Sequence, residues 1–186
     1  MDPQKLKNTL SNEIVPDAKE NGKKKLAAVL ILIHGSEHKM IMTERPKTMN
    51  LHPGEISFPG GTWKEDDYDL LETAMRETRE EIGLDVLRQQ IIGQLKPVTT
   101  LNSGFTITPF VSITSEIPKL KPNSEIEKIL HIPMFPLFKT IEKDRDPTHS
   151  SIQEMYTFRY QDYLIWGASA RMIKQIMMLL SENGML

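Results

Sequence analysis

The chain has 186 residues, 39% hydrophobic and 26% charged, with a formal net charge of −2. That is enough length for one globular core, and the balance of charge argues against a nucleic-acid partner. Absence of cysteine excludes disulfides, thiolate metal sites and cysteine nucleophiles.

Residues 1–23 are polar and end in Asn21-Gly22 and the run Lys23 to Lys25; a short helix around Pro3 to Leu10 and a mobile arm are equally compatible with them. Residues 24–186 are expected to form a single domain. Leu26 to Ile33 is the longest apolar run, far too short to span a bilayer, and the Met-Asp-Pro start lacks the pattern of a secretory leader. A soluble cytoplasmic protein with no membrane partner is the expectation. Leu26 to His34 reads as a strand buried on both faces, because its apolar residues are continuous rather than alternating. Gly35-Ser36 makes a turn and Lys39 to Arg45 its hairpin partner.

Met42 to Gly61, MTERPKTMNLHPGEISFPGG, follows. Arg45 here could pair with Glu44 or Glu55, or meet an anionic ligand. His52 reads as a loop residue, since no second histidine lies at ligand spacing. The adjacent glycines, Gly60 and Gly61, allow the backbone close approach to a metal or a phosphate.

A helix comes next. At roughly 100° per residue, Leu70, Leu71, Ala74, Thr78 and Ile82 share one side, while Glu77, Glu80 and Glu81 share a neighbouring arc. Three carboxylates so close repel one another at neutral pH. Two readings follow: a hard divalent cation with a phosphate ligand sits there, or the face is solvated and partly neutralised by Arg76 and Arg79.

Val86 to Leu95 should return to the sheet through a short strand, with Lys96 to Ser103 a loop. Gly104 to Thr114 reads as a strand whose Pro109 argues for an edge or a bulge. After a basic, proline-marked loop, Pro118 to Asn123, the pattern Ser124 to Glu127 resembles the capped start of a helix running to Leu130. Ile132 to Phe138 suggests a strand or turn, Glu142 to Ser151 a charged surface loop, and Ile152 to Trp166 an aromatic hairpin. A last helix carries Met172, Ile173, Ile176, Met177, Leu179 and Leu180 in a core stripe and ends by Gly184.

Gly60-Gly61 followed by Arg76-Glu77-Thr78-Arg79-Glu80-Glu81-Ile82-Gly83-Leu84 resembles the Nudix box. Thr78 stands where that pattern prefers a bulky apolar residue, and the spacer is one residue longer and carries Asp66, Asp67 and Tyr68 instead of a glutamate. Upstream, Thr43, Arg45, Gly54 and Phe58 to Gly61 are spaced as in the signature of coenzyme A diphosphatases, the branch in which the longer spacer is also typical. Pro46 and Asn50 depart from that signature, Asn50 standing in place of its second arginine. The opening of the last helix, Ile165 to Arg171, is similar to the same branch.

The resemblance implies an α/β fold, the α/β/α sandwich with a mixed sheet. It implies metal-dependent hydrolysis of a diphosphate bond in a small nucleoside diphosphate derivative, foremost coenzyme A or an acyl-coenzyme A. It makes Glu77, Glu80, Glu81 and the carbonyl of Gly60 ligands of Mg2+ or Mn2+, with Arg76 orienting the glutamates and Glu80 as its partner one turn away. Arg45, Asn50, Gly54, Phe58 and Gly61 would contact substrate, and Glu125 would be an accessory carboxylate. A Nudix hydrolase of ADP-ribose, NADH or dinucleoside polyphosphates, and a non-catalytic nucleotide-binding module, are the alternatives. A homodimer stays open.

Overall fold

The computed structural model describes residues 2–17, 25–49, 53–100, 103–145 and 155–186. Asn50, His52 and the segment 146–154 therefore lie outside the described residues. The fold is a mixed sheet with a helix layer on each face, as expected.

At its centre is β1 (Lys25–His34), whose uninterrupted apolar run serves both faces. Ala28, Leu30 and Leu32 point to one helix layer, and Val29, Ile31 and Ile33 to the other. Along one side β1 runs parallel to β7 (Phe105–Thr114), paired from Lys25↔Phe105 to His34↔Thr114. Along the other it meets two partners end to end. The hairpin strand β2 (Lys39–Glu44) pairs at Ile33 and His34, and the short β4 (Gly60–Thr62) at Ala27 to Val29. Strand β3 (Ile56–Ser57) pairs with the end of β2 at Thr43 and Glu44, on the side of β2 that faces β1, and β5 (Ile91–Gln94) and β6 (Val98–Thr99) share the outer side of β7.

Helix α2 (Leu70–Ile82) starts where the Asp69 carboxylate accepts the Glu72 N–H at 2.9 Å and stops at Gly83, whose φ of +67° suits a residue without Cβ. It buries Leu70, Leu71, Ala74, Thr78 and Ile82 against the sheet. Thr78 fits this face because its hydroxyl donates to the Ala74 carbonyl at 2.7 Å, leaving only the methyl to pack. On the opposite face α4 (Gly167–Glu182) buries Ala170, Met172, Ile173, Ile176 and Leu180 with Leu6 and Leu10 of α1 (Pro3–Leu10). Of the two forms open for the N-terminal residues, a packed helix is what residues 3–10 adopt.

Several sequence expectations change. Pro109 is not on an edge, since β7 has partners on both sides. The Pro109 carbonyl accepts the Leu95 N–H at 2.9 Å, so its nitrogen faces the same side, where β5 has ended and β6 has not begun. The missing donor falls in that gap. Within the segment 96–103, expected as a loop, Val98 and Thr99 form β6, a signal too short to read locally. Ser124 to Leu130 is not a helix but a turn leading into β8 (Lys128–Pro133), which pairs with β2 from Glu44↔Lys128 to Lys39↔Pro133. Leu130 and Ile132 turn inward and His131 outward, so the strand alternation outweighs the capping pattern, and Asn123 Oδ1 takes the Glu125 N–H instead. The chain then makes the short helix α3 (Met134–Phe138), where a strand or turn was expected. Strands β9 (Glu142–Lys143), β10 (Tyr156–Tyr160) and β11 (Tyr163–Ile165) form a second small sheet beside α4, with β10 and β11 as the expected hairpin. No helix among the described residues is long and apolar enough to cross a membrane.

Candidate active site

The site is built where β4 passes the C-terminal half of α2. Register alternation decides which way each β4 residue faces. Leu30 N–H donates to the Pro59 carbonyl and Trp63 N–H to the Leu26 carbonyl, so the pair Ala28↔Gly61 exchanges ladder bonds and the pair Val29↔Gly60 does not. The polar groups of Gly60 accordingly turn away from β1. Its N–H meets Glu81 Oε2 at 3.0 Å.

Both glycines are required sterically. A Cβ on Gly60, whose φ is +153°, would lie 2.3 Å from the Ala28 carbonyl oxygen; one on Gly61 would lie 2.6 Å from the Glu77 carboxylate carbon. The bare Gly60 lets β4 close on β1, and the bare Gly61 leaves room for the Glu77 carboxylate of α2.

The three glutamates differ in environment. Glu81 is buried. Burial pushes its carboxyl up to about 7; repulsion from Glu77 and Glu125 adds to this, while the Gly60 N–H and the Arg45 cation oppose it. Glu77 is mostly covered and Glu80 is exposed. Arg76 joins the last two: its Nη1 lies 2.6 Å from Glu77 Oε1 and 3.3 Å from Glu80 Oε2.

The main partner of Arg76 is one that sequence reasoning missed. Asp67 receives its Nε at 2.7 Å and its Nη2 at 2.9 Å, a bidentate pair, and also accepts the Thr73 hydroxyl at 2.8 Å and the Lys64 N–H at 3.1 Å. These bonds, Arg76 foremost, hold the Asp67 carboxyl down at about 2. The expected Arg76–Glu80 contact is present but is the longest of these bonds to a carboxylate. The only sequence signal was an aspartate in the spacer where a glutamate was sought.

Hard oxygen donors gathered around a buried carboxylate suit a magnesium-type ion, which takes few protein ligands and completes its shell with water and phosphate oxygens. Among the described residues, though, no three histidine, aspartate or glutamate side chains are grouped as a ready cage. Arg76 and the Gly60 N–H occupy the carboxylate oxygens instead.

Beyond the glycine pair opens a cavity of about 300 Å³. Gly60 and Gly61 are its wall toward the carboxylates, and Arg45, Phe58, Ile107, Trp166 and Arg171 line it elsewhere. Arg45 Nε is enclosed without a hydrogen-bond partner, and its Nη2 meets Met49 Sδ at 3.6 Å. Phe58 is at the same time a core residue of the α4 face. Gly54 lies outside this cavity. It lines the neighbouring groove between the loop after β2 and β11, and its N–H donates to the Arg45 carbonyl at 3.2 Å. Glu125 is exposed but within electrostatic reach of Glu81.

A family model described as NUDIX domain matches residues 24–152. The chain is 31% identical over 156 residues to an uncharacterized Nudix hydrolase NudL of Enterobacter sp. (strain 638), covering 81% of this chain and 80% of that protein. It is 27% identical over 176 residues to the protein of the same name from Pectobacterium atrosepticum, covering 92% and 91%. Among solved structures, a MutT/nudix family protein from Enterococcus faecalis aligns with TM-score 0.60 at 15% identity, covering 91% of this chain and 66% of that one. A MutT protein from Methanosarcina mazei aligns with TM-score 0.57 at 14% identity, covering 88% and 99%. At these identities the two structures speak to the fold.

Proposed function

The chain belongs to the NUDIX family, and from that premise we propose that it hydrolyses the diphosphate bond of a nucleoside diphosphate derivative, foremost coenzyme A or an acyl-coenzyme A. The products would be 3′,5′-ADP and 4′-phosphopantetheine. The observation that carries this reading is the glycine pair, a wall one residue thick between a carboxylate cluster and a cavity lined by a cation. Thr43, Arg45, Gly54 and Phe58 to Gly61 at the spacing of the coenzyme A branch favour that substrate.

The chain's own residues would divide the work. Glu77, Glu80, Glu81 and the outward carbonyl of Gly60 would hold a divalent ion. Asp67 and Arg76 fix Glu77 relative to the glycines, and Arg45 offers a guanidinium to the diphosphate. A bound Mg2+ or Mn2+ neutralises phosphate charge and lowers the pKa of a bound water.

The test incubates the protein with Mg2+ or Mn2+ and a panel of coenzyme A, acyl-coenzyme A, NADH, ADP-ribose and dinucleoside polyphosphates, reading products by mass. Metal-dependent release of 4′-phosphopantetheine is expected. Turnover of another member alone would move the assignment to that substrate, and no turnover would favour a nucleotide-binding module.

A further inference from the structure

Arg171, on the first turns of α4, has an unused capacity that the diphosphate chemistry does not absorb. Its Nη2 donates to the Thr99 carbonyl, and its Nε is shut off from solvent without a hydrogen-bond partner. No carboxylate among the described residues pairs with it. The half-buried guanidinium thus has one enclosed N–H unanswered and further donors free toward the cavity, an arrangement that an incoming anion would satisfy. Burial lowers its pKa.

The fold places Arg171 far from the diphosphate end. Arg45 and the glycine pair lie at the β2 and β4 side, whereas Thr99 is on β6, reached by crossing β1 and β7. Three strand spacings make that roughly 14 Å, farther than a diphosphate spans. Between the two ends the cavity floor is apolar, with Ala27, Val29 and Ile107; at the Arg171 end it turns polar again with the hydroxyls of Thr100 and Ser103, 2.7 Å from each other.

We propose that Arg171 binds a second phosphate of the substrate, a phosphomonoester remote from the scissile diphosphate. The assignment rests on the hydrolase reading above and adds a specificity determinant to it. It also adds a second cation to the one that Arg45 brings: in the sequence Arg171 lies far from Arg45, and only the packing of α4 on the sheet brings both to one cavity.

The test compares the native chain with Arg171→Ala and Arg171→Lys, each checked for an unchanged melting profile. Calorimetry measures binding of 3′,5′-ADP and of 5′-AMP, which differ by one phosphomonoester. Steady-state kinetics with Mg2+ compare coenzyme A with 3′-dephospho-coenzyme A. The native chain is expected to bind 3′,5′-ADP about tenfold or more tightly than 5′-AMP. Arg171→Ala should erase that preference and raise KM for coenzyme A alone, with kcat little changed, and Arg171→Lys should restore part of it as a point charge without the fork. Equal affinity of the native chain for the two nucleotides, or an Arg171→Ala loss shared equally by both substrates, overturns the proposal. Should Arg171→Ala fail to fold, the native comparison and Arg171→Lys decide. A preference for 3′,5′-ADP that depends on Arg171, with no turnover of any panel member, would sink the hydrolase reading and leave the phosphate site standing. Turnover with no dependence on Arg171 would do the reverse.

Discussion

Asp67 shows how one residue sets the geometry of others. Its bidentate pair with Arg76 is almost fully enclosed, and Arg76 in turn holds Glu77. Asp67→Asn keeps the shape but removes the charge, leaving a guanidinium poorly compensated. It should lower stability by about 2 kcal/mol in urea unfolding at neutral pH and release Glu77, so activity falls as well. The sign with pH follows from the carboxyl's preference: it holds its proton less tightly folded, at about 2, than unfolded, at 3.8. The stability it contributes is present above 3.8 and lost as pH falls through about 2, so the gap between native and Asp67→Asn should close over that acid range. Glu81→Gln makes the contrasting prediction. Its carboxyl is already strained by burial and by repulsion from Glu77, and a glutamine oxygen can still accept the Gly60 N–H. Turnover should vanish while the melting temperature without metal holds or rises. A folded Glu81→Gln protein with native activity would remove Glu81 from the site.

At the scale of elements, α2 and the glycine pair before it were legible because their constraints are local: a periodic apolar face, two glycines and a glutamate arc, all within one stretch of chain. What could not be read depends on partners far away in sequence. Nothing local says that Arg76 turns back nine residues to Asp67 rather than forward four to Glu80, because that choice is made by the loop returning from β4. Ser124 to Leu130 carries an honest capping pattern, yet Glu127 N–H finds the Glu44 carbonyl at 2.8 Å and the next six residues pair with β2. Arg171 read as one residue of a core helix. The β4 geometry itself yields a prediction. A Cβ at Gly61 meets only the movable end of Glu77, whereas one at Gly60 meets the fixed carbonyl of Ala28. Gly61→Ala should therefore fold with a small stability change but lose about tenfold or more in kcat/KM, since Glu77 is displaced. Gly60→Ala should fail first in stability, by more than about 1 kcal/mol. Thermal melts and kinetics on the two proteins separate these outcomes.

The whole molecule is closed by a segment that the sequence left undecided. After α1 the chain runs along the outer edge of β5, where Asn12 acts as a partial strand partner. Its N–H donates to the Ile92 carbonyl at 3.1 Å, its Oδ1 accepts the Gln94 N–H at 2.7 Å, and its Nδ2 reaches the Gln94 carbonyl at 2.9 Å. An otherwise open sheet edge is thereby covered. Pro16 then accepts the Leu70 N–H at 3.0 Å, so the same segment ties α1, on one face, to the start of α2 on the other. This close passage needs Gly93, where a Cβ would sit 2.2 Å from the Leu10 carbonyl oxygen. If the segment is part of one cooperative unit, Leu10→Ala, which empties a fully buried site against α4, should cost about 2–5 kcal/mol and shift the entire unfolding transition. Gly93→Ala should instead detach residues 2–17 and speed amide exchange at Gln94 before the core opens. No residue of this segment lines the cavity, so both proteins, assayed well below their melting temperatures, should keep kcat/KM within about twofold of native. A larger loss in Leu10→Ala would mean that α1, through α4, holds Arg171 in place, since that helix both packs on the buried leucine and lines the cavity.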